Sequence, residues 1–387
     1  MNKPLITVEH IDNESTELEI EDDHDSNIRE PEPYDPEEIR VDTNQFSLRN
    51  ILDMIDDEEL DLAPDFQRFK VWSDSQKSRL IESVLLRIPL PAFYFSSDNK
   101  GFMQVVDGVQ RLSTLHEFVR SPSSFPLTQL EYLSNKLDGM KYNDLPDEWV
   151  WRINRTQLTV NVIDPQTPTP VKFDIFKRLN TGGSPLTAQE IRHCMSRTPS
   201  RQLLKSIVES AEFSSSLPQP IVKHKRMANR ELALRALGFM ILDKDINIEN
   251  KYTSKKYRDY DSLDDFLNDI THIIDTKLNE KQINELKNRV LRGIDNAYRL
   301  FGKRAFRKWP QNEEYLYPVN KSVFDALVVC LGNYQWTDIM QHKKFIISAY
   351  REQCSTSEFD ASVSRGTAKP ASVEYRFKTL RKILEEI

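Results

Sequence analysis

The feature that most constrains the fold is a change in hydrophobic spacing at about residue 200. Before that point, short alternating segments typical of strands are interleaved with helical segments. After it, the apolar residues repeat at helical spacing. The sequence therefore predicts an α+β protein, in which a small mixed-sheet unit is followed by an all-helical unit.

The N-terminal segment differs from the rest of the chain in charge. Residues 1–45 contain fifteen Asp or Glu and three Lys or Arg, which leaves 50 basic and 45 acidic residues in the remainder, a balance of +5. The overall charge of −7 therefore conceals a mildly basic body behind an acidic segment. Because this segment has little apolar content, we expect residues 1–45 to be disordered. A solvating tail, a nucleic-acid mimic lying over a basic groove and a partner-docking segment all fit its composition.

The second predicted domain covers residues 46–199. Two capping-box sequences, Ser73–Gln76 and Thr187–Glu190, mark the starts of two of its helices. Periodicity predicts further helices near 51–60, Gln110–Val119 and Val171–Leu179, and strands at Ala92–Phe95, Phe102–Val106 and Leu158–Val162.

The third predicted domain, residues 200–387, is helical. Its predicted helices are Glu231–Leu242, Leu263–Leu278, Glu280–Phe301, Lys321–Leu331, Asp338–Arg351 and Ser372–Ile387. The three cysteines lie far apart, which argues for a reducing compartment and against a cysteine metal site. With no apolar run long enough to span a membrane, a cytoplasmic protein is expected.

One motif stands out as a candidate site. Asp107-Gly108-Val109-Gln110-Arg111 lies at a predicted strand-to-helix junction, where backbone N–H groups and the helix dipole favour an anion. Gly108 permits a close backbone approach, and Arg111 offers a planar fork for phosphate. Asp107 is a candidate Mg²⁺ ligand or base, and Gln110 is a candidate for orienting water. A simple turn followed by a surface arginine explains the same residues.

Two other segments carry residues suited to nucleotide or nucleic acid. Gln67 and Arg68 lie among aromatic residues and are followed by Lys77, a combination used for stacking and phosphate contacts. Lys177 and Arg178 precede Asn180 in an Asn-Thr-Gly-Gly turn, which a helix C-cap also explains. Aromatic core anchors with a structural ion pair remain the alternative for the first segment.

These segments together resemble the N-terminal domain family of GmrSD-type restriction endonucleases. The resemblance rests on the Phe-Gln-Arg block at 66–68, the Asp-Gly-x-Gln-Arg motif at 107–111, and the block from Phe176 through Arg192. It extends from about Phe46 to at least Leu242. The commoner form of the motif has Gln where this chain has Val109, so a contact made by that side chain would be missing here.

The resemblance implies a ParB- or sulfiredoxin-like fold and a function in prokaryotic defence against foreign DNA. It implies nucleoside triphosphate binding and hydrolysis with Mg²⁺ at Asp107, Gly108, Gln110 and Arg111, with Gln67 and Arg68 as neighbours. We also expect DNA and a partner protein of the defence system as binding partners, while homo-oligomerisation is left open. The sequence contains no arrangement of the His-Asn-His nuclease type and no phosphate loop of the Gly-x-x-x-x-Gly-Lys form, so a stand-alone form without the nuclease half is expected.

Three functions remain open from the sequence. The first is an NTPase, and in its strongest form a Mg²⁺-dependent DNA endonuclease. The second is a non-catalytic ParB-like module or regulatory subunit that works with a separate nuclease. For this module the basic runs at Lys223–Arg226, Lys255–Lys256 and Arg304–Lys308 are the candidate DNA surface, although a solvated face explains them equally. The third is a toxin-like effector that its acidic segment or a partner keeps silent.

Overall fold

The computed structural model describes residues 8–11, 14–20, 35, 39–62, 72–98, 100–121, 124–179, 186–224, 226–243 and 255–387. Contacts divide the chain into two compact units. We call Pro33–Met195 the sheet unit, and Met1–Glu32 with Ser196–Ile387 the helical unit. The second boundary falls four residues before the start of the predicted helical domain at residue 200.

The sheet unit contains a five-stranded mixed sheet. The strands are β3 Val41–Ser47, β4 Leu60–Asp61, β5 Phe93–Ser97, β6 Met103–Asp107 and β7 Gln157–Ile163. Their order in the sheet is β3-β7-β5-β6-β4, with β5 antiparallel to β6 and parallel to β7. The helices are α1 Leu48–Asp56, α2 Asp74–Leu85, α3 Val109–Arg120, α4 Ser134–Leu137, α5 Asp147–Arg155, α6 Thr169–Leu179 and α7 Ala188–Met195.

Alternating residues of the strands supply two separate cores. Phe93 and Val105 belong to the larger core, together with the apolar residues of α1, α2 and α3. Val106 and Ile163 belong to a smaller core with residues of α6 and α7. This alternation is the reason that β5, β6 and β7 were correctly predicted. Both predicted capping boxes are present, at Ser73 and Thr187.

The strand β3 was not predicted, because the sequence was expected to be disordered up to residue 45. Its residues Val41–Gln45 are exposed, and they lack an apolar alternation. They pair antiparallel with β7 through polar side chains, since Thr43 Oγ1 lies 2.7 Å from Asn161 Oδ1 and Gln45 Nε2 donates to Thr159 Oγ1 at 2.8 Å. Such pairs contribute to sheet stability without any hydrophobic signal in the sequence.

Part of the acidic segment also forms a hairpin in the helical unit. Its strands are β1 Val8–Ile11 and β2 Glu14–Glu19, which pair antiparallel. The backbone N–H of Glu19 donates to the Val319 carbonyl at 2.9 Å, and that of Val319 donates to the Glu17 carbonyl at 2.8 Å. Leu18 is fully buried in the helical core. For these residues, backbone pairing and one buried leucine replace the disorder that composition suggested.

The helical unit is organised around a helix that is buried on all sides. This helix is α14 (Lys321–Leu331), in which Ser322–Leu331 are all buried, as expected of a central helix. Gly293 of the neighbouring α13 (Glu280–Phe301) lets the two backbones meet, because a Cβ there would lie 2.1 Å from the Val328 carbonyl oxygen. Inside the same core, Arg235 pairs with Asp325 at 2.8 Å.

The helices of this unit agree broadly with the sequence prediction. They are α8 Thr198–Val208, α9 Ala211–Ser216, α10 Gln219–Val222, α11 Ala228–Leu242, α12 Leu263–Thr276, α13 Glu280–Phe301, α14 Lys321–Leu331, α15 Trp336–Ile339, α16 Lys343–Cys354, α17 Ser357–Ser364 and α18 Pro370–Glu385. The predicted helix Asp338–Arg351 is interrupted by a 3-10 turn at Met340–His342. Among the described residues, no helix is both long enough and apolar enough to cross a bilayer.

Candidate functional site

The Asp-Gly-x-Gln-Arg motif lies at the strand-to-helix junction that the sequence predicted. Asp107 is the last residue of β6, and Val109 is the first residue of α3. Because β6 is antiparallel to β5, Asp107 pairs with Tyr94 near the start of β5. The motif therefore lies beside the segment Pro91–Phe93 that leads into β5.

Gly108 is required by both conformation and space. Its φ is +95°, in the left-handed region that disfavours other residues. A Cβ at this position would lie 2.3 Å from the Phe93 ring, which is too close for any side chain. The chain can therefore turn from β6 into α3 only with glycine here, and the Phe93 ring packs directly against the turn.

Arg111 is held by four contacts within the domain. Its Nη2 donates to Asp107 Oδ2 at 3.0 Å and to the Ala92 carbonyl at 3.3 Å, and Nη1 donates to the Pro91 carbonyl. The guanidinium also lies 4.3 Å from the centre of the Phe93 ring. These bonds use three of the five N–H hydrogens of the guanidinium. Arg111 thus fixes both the Asp107 carboxylate and the start of β5.

The exposure of the two charged residues differs. The Arg111 side chain is 14% exposed, whereas the Asp107 side chain is 37% exposed. Burial lowers the pKa of the Arg111 guanidinium from its ordinary value, and the neighbouring Asp107 carboxylate partly opposes this. Asp107 is therefore a carboxylate positioned by an arginine and open to solvent, as a metal ligand or a base requires.

The other two motif residues have different environments. Val109 is 6% exposed and belongs to the larger core of the sheet unit. A valine at this position packs, so the Gln of the commoner motif is replaced by a hydrophobic contact. Gln110 is partly exposed on the first turn of α3, next to the backbone N–H groups of the helix start.

The family described as the N-terminal domain of the GmrSD restriction endonuclease matches residues 48–195. This part of the chain belongs to the GmrSD N-terminal domain family. A search among curated proteins found no match. The matched residues correspond to almost the whole sheet unit, and they end at the last residue of α7. A likeness beyond Met195 remains a prediction.

In this GmrSD-type domain, the contacts of Lys77 are with Glu117 and Phe125 and not with the motif. Its Nζ donates to both carboxylate oxygens of Glu117, at 2.8 and 3.0 Å, and lies 5.1 Å from the centre of the Phe125 ring. Glu117 lies near the end of α3, two turns from the motif. The ammonium therefore ties α2 to α3, and its contacts do not support the predicted role in nucleotide binding.

Lys177 and Arg178 are exposed residues of the last turn of α6. The preceding residue, Phe176, is buried in the smaller core with Val106, the residue before Asp107. This packing connects α6 to the strand that carries the motif and leaves both cations accessible. The predicted site residues Gln67, Arg68 and Asn180 lie outside the described residues.

The basic run Arg304–Lys308 does not form the open DNA surface that the binding-module hypothesis requires. Arg307 is 5% exposed and Lys308 is 7% exposed. Arg307 donates to Glu17 at 2.9 Å, and Lys308 lies 3.7 Å from Glu19 and 3.3 Å from Asp360. Carboxylates of the hairpin therefore neutralise much of this run.

Sequence reasoning missed the role of the segment Pro91–Phe93. Two of its carbonyl oxygens accept from Arg111, and its Phe93 ring contacts both Arg111 and Gly108. Backbone carbonyls leave no mark on residue type, so these contacts could not be found from the sequence.

Proposed function

We propose that this chain is the nucleotide-binding and nucleotide-hydrolysing component of a system that restricts foreign DNA, with its chemistry at Asp107. The observation that carries the proposal is the Asp107 carboxylate, which Arg111 holds at the start of α3 while part of it stays exposed. A fixed, accessible carboxylate beside a helix N-terminus suits a magnesium–phosphate ligand.

Each residue of the site has a separate role in this proposal. Asp107 Oδ2 is bonded to Arg111, which leaves the other carboxylate oxygen for a Mg²⁺ ion or for the attacking water. Backbone N–H groups at the start of α3 face the phosphates, and Gln110 orients the water. Lys177 and Arg178 supply positive charge from α6.

Mg²⁺ fits this arrangement as an ion that arrives with the nucleotide. In the part of the chain that the structure describes, no cluster of three or more His, Cys, Asp or Glu could hold a metal. Magnesium is commonly bound by one or two carboxylates together with substrate phosphates, and Asp107 provides one such carboxylate. When bound, the ion would neutralise charge on the phosphates. In this proposal, a partner protein of the same system cleaves the DNA.

One observation favours a second function, that of a non-catalytic module or regulatory subunit working with a separate nuclease. Three N–H hydrogens of Arg111 are used within the domain, so only two remain for a phosphate. A nucleotide bound here would then act as a conformational ligand without being hydrolysed.

Phosphate release separates the two functions. The full chain is incubated with Mg²⁺ and each of the four ribonucleoside triphosphates, with and without DNA. For the NTPase, Asp107→Asn should lower release about 100-fold or more, since it removes the carboxylate charge and keeps the shape. The matched control is Asp56→Asn, because Asp56 pairs with Arg120 at the other end of α3.

Arg111→Lys tests the positioning role. It keeps a positive charge near Asp107 and removes the planar fork, so release should fall, while the matched Arg120→Lys should not change it. If wild-type protein binds nucleotide and releases no phosphate in any condition, the NTPase is ruled out in favour of the regulatory module. If Asp107→Asn releases phosphate at the wild-type rate, the chemistry lies elsewhere.

A further inference from the structure

The sheet unit contains an open cleft that the proposed nucleotide site does not use. It has a volume of about 540 Å³ and lies among the end of α2, helix α5 and the start of β7. This volume is within the range of ligand sites in proteins. Leu90 lines the cleft, and the next two residues supply the carbonyls that bind Arg111, so the cleft and the motif share one segment.

The lining of the cleft is cationic. Arg87, Arg152 and Arg155 line it together with one carboxylate, that of Glu148. Arg152 is anchored, since its Nη1 donates to the Leu85 carbonyl at 2.9 Å and its guanidinium lies 4.5 Å from the centre of the Trp149 ring. Within the residues that the structure describes, none of the three arginines forms an ion pair. This surface is therefore complementary to a polyanion.

Arg87 occupies a position where glycine would be expected. The N–H of Arg87 donates to the Val84 carbonyl at 3.1 Å and that of Ile88 donates to the Ser83 carbonyl at 2.9 Å, the two bonds of a Schellman motif. Arg87 therefore adopts a left-handed conformation, with a φ of +60°. An arginine is tolerated here at a conformational cost that glycine would avoid, which points to a use for its side chain.

An exposed aromatic ring accompanies the arginines. Trp151 of α5 is 57% exposed, and Ile88, which also lines the cleft, is 50% exposed. An accessible indole beside guanidinium groups is the combination that single-stranded nucleic acid uses, with bases stacked on the ring and phosphates on the arginines. A duplex keeps its base faces stacked and cannot use the indole in this way.

We propose that this cleft binds a single strand of DNA, with Arg87 and Arg155 contacting phosphates and Trp151 stacking on a base. Arg152, which is held by the Leu85 carbonyl and the Trp149 ring, forms part of the cleft wall. The choice of DNA rests on the proposed function, whereas the choice of a single strand rests on Trp151 and the three arginines.

Binding of a labelled oligothymidylate of about twelve nucleotides, measured by fluorescence anisotropy, tests the proposal. The full chain is used with EDTA and without nucleotide, so the outcome does not depend on turnover at Asp107. Trp151→Ala should weaken binding about tenfold or more, and Arg155→Gln should weaken it and reduce its dependence on salt. Asp107→Asn should bind as the wild type does.

Two matched controls keep the test specific. Tyr132→Ala removes another aromatic ring of the sheet unit, one that is 70% exposed, and Arg49→Gln removes another exposed cation. Both should bind as the wild type does. Arg87→Gly should weaken binding without lowering the melting temperature, so that loss of folding cannot explain the result.

The proposal is overturned if the oligothymidylate does not bind, or if Trp151→Ala and Arg155→Gln bind it as tightly as the wild type. A duplex and an RNA oligomer of the same length are measured alongside. Tighter binding of the duplex would overturn the single-strand assignment, and tighter binding of the RNA would overturn the assignment to DNA. Because phosphate release is measured separately, each proposal can fail while the other stands.

Discussion

The two units present their basic residues in opposite ways. In the helical unit, His224, Arg307 and Lys308 are buried and face carboxylates of the N-terminal hairpin. In the sheet unit, Arg87 and Arg155 are exposed in a cleft that has one carboxylate in its lining. These basic residues of the helical unit lie in basic runs of the sequence. Arg87 and Arg155 lie in two separate segments and form no such run.

The density of positive charge along the sequence therefore does not show which cations are accessible in the fold. What matters is whether the cation already forms an ion pair with a carboxylate from elsewhere in the chain. The acidic residues Glu9, Glu17 and Glu19 precede their basic partners by more than 200 residues, so spacing along the chain cannot reveal the pairing. Three measurements test this contrast between the two units.

The largest effect is expected for Arg307→Ala. Arg307 donates to the Tyr317 carbonyl and to Glu17, and truncation would leave both groups without this donor. We expect the free energy of unfolding to fall by about 2 kcal/mol, measured by urea denaturation. Arg155→Ala, in the exposed cleft, should change it by about 0.5 kcal/mol or less. Equal effects at the two positions would remove the distinction between structural and available arginines.

A smaller effect of opposite sign is expected for Arg87→Gly. Glycine relieves the left-handed conformation, although it also adds freedom to the unfolded chain. We expect the free energy of unfolding to rise by about 0.5 kcal/mol, again from urea denaturation. A decrease would mean that the Arg87 side chain supports the fold, and the argument from its backbone conformation would be lost.

The smallest effect concerns Glu9 and pH. Backbone N–H groups of Arg226 and Ala228 donate to Nδ1 of His224, so the ring proton is on Nε2, 3.3 Å from Glu9 Oε2. This contact with His224 is the main cause that lowers the pKa of Glu9 below its ordinary value of 4.5. The contribution to stability is therefore present above the ordinary value and is lost as the pH falls through the lower, folded-state value.

Glu9→Gln tests this contribution. Near neutral pH it should lower the free energy of unfolding by about 0.3 kcal/mol, and the difference from the wild type should vanish in acid. The control is Glu148→Gln in the cleft, for which we expect little change at either pH. A difference between Glu9→Gln and the wild type that persists in acid would show that the carboxylate charge is not responsible.

Much of the fold follows from local patterns. Alternation predicts β5, β6 and β7, and the capping boxes at Ser73 and Thr187 mark the starts of α2 and α7 correctly. The polar strand β3 escapes prediction, because it is held by cross-strand hydrogen bonds and not by an apolar face. Helix α5 was also missed, although it carries Trp151 and two of the cleft arginines.

The candidate site divides in the same way. Gly108 and the junction at Asp107 could be predicted, since glycine between a strand and a helix has a local meaning. The positioning role of Arg111 could not be predicted, because two of its partners are backbone carbonyls about twenty residues earlier in the chain. Lys77 has the residue type of a phosphate ligand, but its partner Glu117 was invisible to local reasoning.

The hairpin also sets an order of events during synthesis. Strand β2 emerges from the ribosome early, but its backbone partner Val319 is made about 300 residues later. At about 5–20 residues per second, the interval is roughly 15–60 s. Throughout that time the helical core that Leu18 enters is incomplete, and the acidic residues around Leu18 keep the nascent segment solvated. The GmrSD-type domain, whose residues are all made before the helices of the C-terminal part, can complete its own core first.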